Sequence, residues 1–320
     1  MLSTNEILLP VRDYDLSATL DSGQVFRWEP AGKAWQGVVG SHFICLTQTP
    51  AGIHAEASAP VANWDWLRQF LQTEIDFPAV LKAFPEDEPM RQAVAACRGL
   101  RLLRQEPWEC LASFILSSTK QIVQIRQIVA HLCERFGEPI PPLLSAGLPT
   151  GVFPYPSANE PGQGPVHPAP SCYGGRPLQF AFPTPERIAA ASEAELRACK
   201  MGFRAPNLLA AARQIAGGGF ELEKIRQLNY AAARAELMKL RGVGGKIADC
   251  VLLFAYGFDG AFPVDTWIER ALQELYFPRR RASGKRLRKF ADTHFRPHAG
   301  YAQQYLFHFV RTRKRNAEAG

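Results

Sequence analysis

The sequence predicts an α+β protein in which a small antiparallel sheet precedes a mainly α-helical body. Three observations carry this. Apolar and polar side chains alternate through roughly the first sixty residues between Gly and Pro turn signals, the period of half-buried strands. From Asn63 onward, apolar residues recur at spacings of three, four and seven, as helices packed on a core require. The 320 residues are 47% apolar and 11% aromatic, ample for sizeable cores, which excludes a disordered or coiled-coil chain; the length suits about two domains.

Taken in order, Gln24–Trp28, Lys33–Val39 and His42–Thr47 read as three strands punctuated by Gly32, Gly40 and Pro50. Trp66, Leu67, Phe70 and Leu71 then share a helical face, and Pro89–Cys97 repeats the pattern. The strongest helix opens at Pro107, carries Leu111, Phe114, Ile115, Ile122, Ile125, Val129, Leu132 and Phe136 on one side, and ends at Gly137. Eleven Pro and seven Gly then fall within residues 137–177, too many for either ladder, and predict a long mobile surface insertion at about 138–177. Helices resume at 185–196, 207–213 and 230–240. The domains implied are 1–100, the sheet with its connecting helices, and 101–320, the helical body.

No apolar run approaches the roughly 18–20 residues of a membrane span; the longest is of the kind Val251–Phe258. The N-terminus lacks the basic and apolar regions of a signal peptide, so an intracellular, membrane-free protein is expected. Seven scattered cysteines (45, 97, 110, 133, 172, 199 and 250) without a C-x-x-C argue for reduced thiols rather than a disulfide framework or zinc site. The net charge of +7 is unevenly placed. From Tyr276 to the end there are twelve Lys/Arg against two acids, whereas the preceding residues carry 25 basic against 28 acidic groups. Such asymmetry suits contact with a polyanion, with counterion release as the driving term, or a solubilising tail.

Leu240-Arg-Gly-Val-Gly-Gly-Lys-Ile-Ala-Asp-Cys250 places a tight glycine turn between two helices. Gly242 and Gly244 supply backbone freedom, and the amides along Gly242, Val243, Gly244 and Gly245 can hold a phosphate without reading sequence; an ordinary αα-hairpin is the alternative. Lys246 stands in the first turn of the second helix, where the positive end of the dipole disfavours an ammonium and leaves more of the amine neutral and nucleophilic. In Phe262-Pro-Val-Asp-Thr-Trp267, Asp265 stands at the start of another helix, where an N-cap is its ordinary role and does not preclude chemistry.

The hairpin, its lysine and the Pro-Val-Asp loop together resemble the helix-hairpin-helix DNA glycosylase superfamily, within it most closely the 8-oxoguanine DNA glycosylases. Ser22–Trp28, Arg101–Leu111, Met201–Ala205 and Ala299–Phe307 resemble family segments in the same order, so that all but roughly 138–177 is covered. The resemblance implies a base-flipping bifunctional enzyme that excises 8-oxoguanine from duplex DNA in base excision repair and then cleaves the abasic strand by β-elimination. Lys246 would attack C1′ and form a Schiff base, and Asp265 would stabilise the developing positive charge. Cys250 and Phe307 match the faces of the base pocket, Gln303 a partner for the Watson–Crick edge, and the Gly23 carbonyl an acceptor for the N7 hydrogen that only the oxidised base carries. Read from the residues alone, Cys250 and Phe307 are core packing and Gln303 a solvated amide.

Departures from the family pattern matter too. Ser117-Ser-Thr-Lys-Gln121 replaces an Asn-rich run, so Thr119 or Lys120 would plug the duplex. Gln124 replaces one arginine expected to read the orphaned cytosine while Arg204 keeps its counterpart, and Trp267 stands where some members have histidine at a phosphate contact. No cysteine follows Cys250, so the iron–sulfur ligands of endonuclease III-like relatives are missing, and no cofactor is implied. A monomer acting on double-stranded DNA carrying oxidised guanine, in the nucleoid or nucleus, is the expectation. The alternative is a noncatalytic helix-hairpin-helix DNA-binding module, which a borohydride trap of the imine would distinguish.

Overall fold

The computed structural model describes residues 4–143, 172–173, 176–177, 179–279 and 281–319. Five strands, β1 (Thr4–Pro10), β2 (Trp28–Ala31), β3 (Ala34–Val39), β4 (His42–Thr49) and β5 (Gly52–Val61), form one antiparallel sheet in the order β1-β5-β4-β3-β2. Helix α1 (Leu16–Asp21) crosses between β1 and β2, capped by the Asp15 carboxylate on the amide of Ala18. The sheet buries Leu9, Trp28, Ile44, Leu46 and Ile53 against Leu67, Phe70 and Leu71 of α2 (Asp65–Leu71). Two of the three expected strands are therefore present, and two more lie outside the expectation. In β5 the buried alternating positions are Ile53, Ala55 and Ala57, where alanines mute the apolar signal.

The expected strand at Gln24–Trp28 is corrected, since β2 begins only at Trp28. Gly23 has φ +83°, which turns the chain, and the Gln24 side chain is fully buried. Its amide nitrogen donates to the carbonyls of Thr19 (3.1 Å) and Arg101 (2.8 Å) and to Ser22 Oγ (3.0 Å), while its oxygen accepts from the Leu103 amide at 2.8 Å. A polar side chain satisfied in this way is part of the interior, and it welds the sheet unit to the helical body.

The body comprises α3 (Phe77–Lys82), α4 (Glu88–Cys97), α5 (Pro107–Leu116), α6 (Ile122–Phe136), α7 (Pro185–Ala189), α8 (Glu193–Leu196), α9 (Ala205–Ala216), α10 (Tyr230–Leu237), α11 (Gly245–Val251), α12 (Thr266–Tyr276), α13 (Gly284–His294) and α14 (Ala299–Ala319). A continuous apolar core runs through it, from Phe77 and Met90 to Tyr305 and Leu306. The single helix expected over Pro107–Phe136 is two, broken at Ser117–Gln121. Ile115 and Ile122 stay seven apart, so the apolar phase survives the break. The cause is polar: Ser117 Oγ donates back to the Phe114 carbonyl at 2.8 Å, and Thr119 adopts φ +57°. This break forms one lip of the functional cleft.

Most of the Pro/Gly-rich insertion lies outside the described residues. Its flanks meet in a two-residue antiparallel ladder, Pro139–Ile140 with Gln179–Phe180. Cys45, Cys97, Cys110, Cys133, Cys199 and Cys250 are buried free thiols, and among the described residues no helix is long and apolar enough to cross a membrane. Helix α14 docks back on the N-terminal unit: Gln304 Nε2 donates to the Ser22 carbonyl at 3.0 Å and the Tyr305 hydroxyl to that of Leu100 at 3.2 Å. Residues about 280 positions apart thereby share one wall.

Candidate active site

The glycine turn between α10 and α11 is tight because the Val243 amide donates to the Leu240 carbonyl at 3.1 Å while Gly242 holds φ +84°. A Cβ on Gly242 would stand 2.7 Å from the Asn207 side chain, so glycine is required there for both conformation and space. Gly244 instead has extended backbone at the N-cap of α11, and its conformational freedom is not used. Val243 points into the core, leaving Gly242 and Gly244 exposed. The buried Asp249 of α11 accepts from Arg234 Nε (2.7 Å) and the Tyr230 hydroxyl (2.8 Å), both on α10, which fixes the two helices of the hairpin together.

In the first turn of α11, Lys246 reaches a cleft of about 730 Å³, a volume typical of small-ligand sites. Its ammonium donates to Ser117 Oγ at 3.4 Å and lies 5.1 Å from the centroid of Phe114. Phe114 stands edge-on to Phe26 and stacks on Phe254, so the floor beneath the amine is aromatic. Cys250, one turn after Lys246, is buried on the same floor. Burial pushes its thiol up to about 12, with the nearby Asp265 and Asp249 adding to the rise and Lys246 opposing it. At neutral pH the sulfur stays protonated and is a poor nucleophile, which leaves the amine as the reactive group.

Asp265 caps α12, accepting from the Ile268 amide at 2.9 Å, and lines the cleft together with Lys246. Trp267 follows at the rim, half-buried, with Lys314 Nζ 5.2 Å and the Arg270 guanidinium 5.8 Å from its ring. From α14, Gln303 enters the same cleft. It is 5% exposed and its amide oxygen has no hydrogen-bond partner, so the expectation of a solvated amide is replaced by a buried acceptor facing a cavity. An unpaired buried polar atom is costly, and a ligand donor would satisfy it. Phe307, one turn on, is half-buried and faces the Gly23 turn, where a Cβ would stand 2.8 Å from Ile122 Cδ1 and 3.4 Å from the Phe307 ring.

Gly23, Lys246, Cys250, Asp265, Trp267, Gln303, Phe307 and Lys120 are thus brought to one cleft. Thr119 sits exposed above it on the strained turn of the broken helix. Arg204 stands behind the lip formed by residues 117–121. It is 2% exposed, and its guanidinium donates to the Ser118 carbonyl and to Thr119 Oγ1 (2.6 Å), so that here it braces the 117–121 lip. Gln124 is also engaged locally, its amide oxygen accepting from the Gln121 main chain at 3.2 Å at the start of α6. Sequence reasoning missed Phe26, Phe114, Ser117, Asp21 and Arg311, all of which line the cleft. The four-residue interval from Phe307 to Arg311 is the signal that could have found the last of these.

The family described as 8-oxoguanine DNA glycosylase, N-terminal domain, matches residues 6–111, and that described as HhH-GPD superfamily base excision DNA repair protein matches residues 112–297. The chain is 28% identical to a probable N-glycosylase/DNA lyase of Methanothermobacter thermautotrophicus, covering 95% of each. It is also 28% identical to the N-glycosylase/DNA lyase OGG1 of Arabidopsis thaliana, over 96% of this chain and 78% of that one. Among solved structures, the Clostridium acetobutylicum 8-oxoguanine glycosylase/lyase, in a complex with double-stranded DNA containing cytosine opposite 8-oxoG, superposes with a TM-score of 0.80 at 26% identity, covering 96% of this chain and 98% of that one. With the second match spanning more than half of its length and the first most of the remainder, the chain belongs to the HhH-GPD superfamily of base excision DNA repair proteins, in its 8-oxoguanine DNA glycosylase branch.

Proposed function

We propose that this chain is a bifunctional DNA glycosylase/lyase that excises 8-oxoguanine from duplex DNA and cleaves the resulting abasic strand. The observation that carries the reading is the convergence of the Lys246 amine and the Asp265 carboxylate with the buried, unpaired Gln303 oxygen in one cleft. The oxidised base would enter between Phe307 and Cys250, with Gln303 meeting its Watson–Crick edge and the Gly23 carbonyl its N7 hydrogen. Normal guanine presents a lone pair at N7, which would repel that carbonyl. The Lys246 amine would then attack C1′ as the glycosidic bond breaks, the bonding pair leaving with the base; opening of the C1′–O4′ bond, with a proton passing from the nitrogen to O4′, would convert this adduct to the imine. Asp265 would offset positive charge on the sugar and on the forming imine. Loss of the C2′ proton and expulsion of the 3′ phosphate would cut the strand. Amine and carboxylate supply all of this chemistry, so the reading needs no cofactor. Borohydride reduction during turnover tests it: the chain should become covalently fixed to lesion duplex, and absence of the adduct would favour a noncatalytic binding module.

The turn from Gly242 to Gly245 and the basic C-terminal segment supply the phosphate contacts in this reading, and the chain works as a monomer on DNA within the cell. Arg279 and Arg281 are exposed between α12 and α13; Arg280 lies outside the described residues. Neutralising all three should weaken binding to damaged and undamaged duplex alike and reduce the salt dependence by up to about one unit for each phosphate left without its cation. An unchanged slope in a binding titration would show that the cluster is only solvated.

Selectivity for the opposite base should be relaxed. Gln124 lacks the guanidinium fork and caps its own helix, and Arg204 must leave the Ser118–Thr119 lip before it can read a base. Each good base contact is worth about 1–3 kcal/mol, so single-turnover rates of 8-oxoguanine excision opposite cytosine and adenine are expected within about tenfold. A cytosine preference of about a thousandfold or more would mean that Arg204 or Lys120 restores the reading.

A further inference from the structure

Asp21 ends α1, where a carboxylate meets the negative end of the helix dipole and is unfavourable without cations beside it. It has two. Arg126 of α6 donates to Oδ1 at 3.2 Å; Arg311 of α14 donates to Oδ2 at 3.2 Å and also to the Asp21 main-chain carbonyl. The side chains of Arg311 and Arg126 are only 12% and 20% exposed, so this is not a pair of solvated surface charges. One carboxylate thereby gathers three walls of the cleft.

The position of the Arg311 guanidinium gives the cluster a use. It lies 5.9 Å from the centroid of Phe307, one turn earlier on α14, and its Nη1 is 3.1 Å from where a Cβ on Gly23 would stand. The group stands beside both the Gly23 turn and the aromatic ring, which themselves approach each other. These are the two surfaces that must stand at a fixed separation if a purine is to lie on the ring while its N7 hydrogen meets the Gly23 carbonyl. A planar fork can span a carbonyl, a carboxylate and a ring edge at once, as a lysine ammonium cannot.

Resting on the glycosylase/lyase reading above, we propose that Arg311, anchored by Asp21, is a positioning residue for base recognition that sets the spacing of Gly23 and Phe307. A deoxyribose without a base puts nothing between those surfaces, so strand cleavage at a ready-made abasic site should not need that spacing. The experiment compares single-turnover cleavage of two duplexes, one carrying 8-oxoguanine and one a preformed abasic site. In Arg311→Met the ratio of base excision to abasic cleavage should fall about tenfold or more, the scale of a misplaced reacting group. Arg311→Lys keeps the charge without the fork and should leave the ratio depressed. Asp21→Asn, nearly isosteric, should lower the ratio as well, and adding it to Arg311→Met should lower it little further, because both remove one clamp. An unchanged ratio in Arg311→Met overturns the proposal, as does parallel loss of both activities in Arg311→Met and Asp21→Asn, which would assign the cluster to the fold alone. Wild-type chain that cuts neither duplex would instead overturn the glycosylase/lyase reading itself.

Discussion

Lys246→Gln is expected to abolish base excision and borohydride trapping together while leaving duplex affinity within a few fold of the wild type. Glutamine fits the half-buried site and keeps a polar head on the side of Ser117 Oγ, which the lysine nitrogen meets at 3.4 Å, but its amide nitrogen is not a nucleophile. The turn that would hold phosphate is set by the Gly242 conformation and the packing of Val243, neither of which the substitution touches. Rate should therefore fall by at least about a thousandfold, as when a covalent nucleophile is removed, with little change in affinity. Excision assays at enzyme excess and a binding titration on uncleaved duplex separate the two quantities. Trapping that persists would move the nucleophile to another primary amine, such as Lys120 of the same cleft; Cys250 could not account for it, because a thiol forms no imine for borohydride to reduce.

The contrast between Lys246 and the base pocket shows what kind of information a linear sequence displays. The hairpin, its lysine and the Asp265 cap lie within 26 residues, and each depends on local rules: glycine at a positive φ, a cation in a first helical turn, a short polar cap. Gly23, Gln303 and Phe307 are brought together by the docking of α14 on the N-terminal unit, and Cys250 joins them from α11; nothing in their spacing announces it. Only family resemblance assigns them. Period-two reading misplaces Gln24 because it treats a polar residue as the outward one, whereas this amide is satisfied by buried main chain. The 107–136 span reads as one helix because the kink falls in a polar interval that preserves the apolar phase. Asp21, Arg126 and Arg311 are invisible in sequence for a different reason: each alone is an ordinary charged helix residue, and only the cluster has meaning.

Asp265→Asn is expected to slow excision by about 10²–10³-fold, the scale seen when one preorganised electrostatic partner is removed, with lesion binding and thermal stability nearly unchanged. Rate and stability part here because the carboxylate has two separable duties. As the N-cap of α12 it accepts from the Ile268 amide at 2.9 Å, and asparagine caps about as well as aspartate, so the helix start and the placement of Trp267 should survive. As a negative charge in the cleft beside Lys246 it would stabilise the cationic sugar and imine, and asparagine has no charge to offer. Asp265→Ala removes both functions and should add a stability loss of about 0.5–2 kcal/mol to the same kinetic defect. The two variants are therefore expected to share a rate but differ in melting temperature, as single-turnover assays and thermal unfolding would show. If Asp265→Asn instead keeps the wild-type rate, or loses binding and rate in equal proportion, the residue serves the helix alone and the charge that steers the lysine chemistry must be sought elsewhere along the cleft.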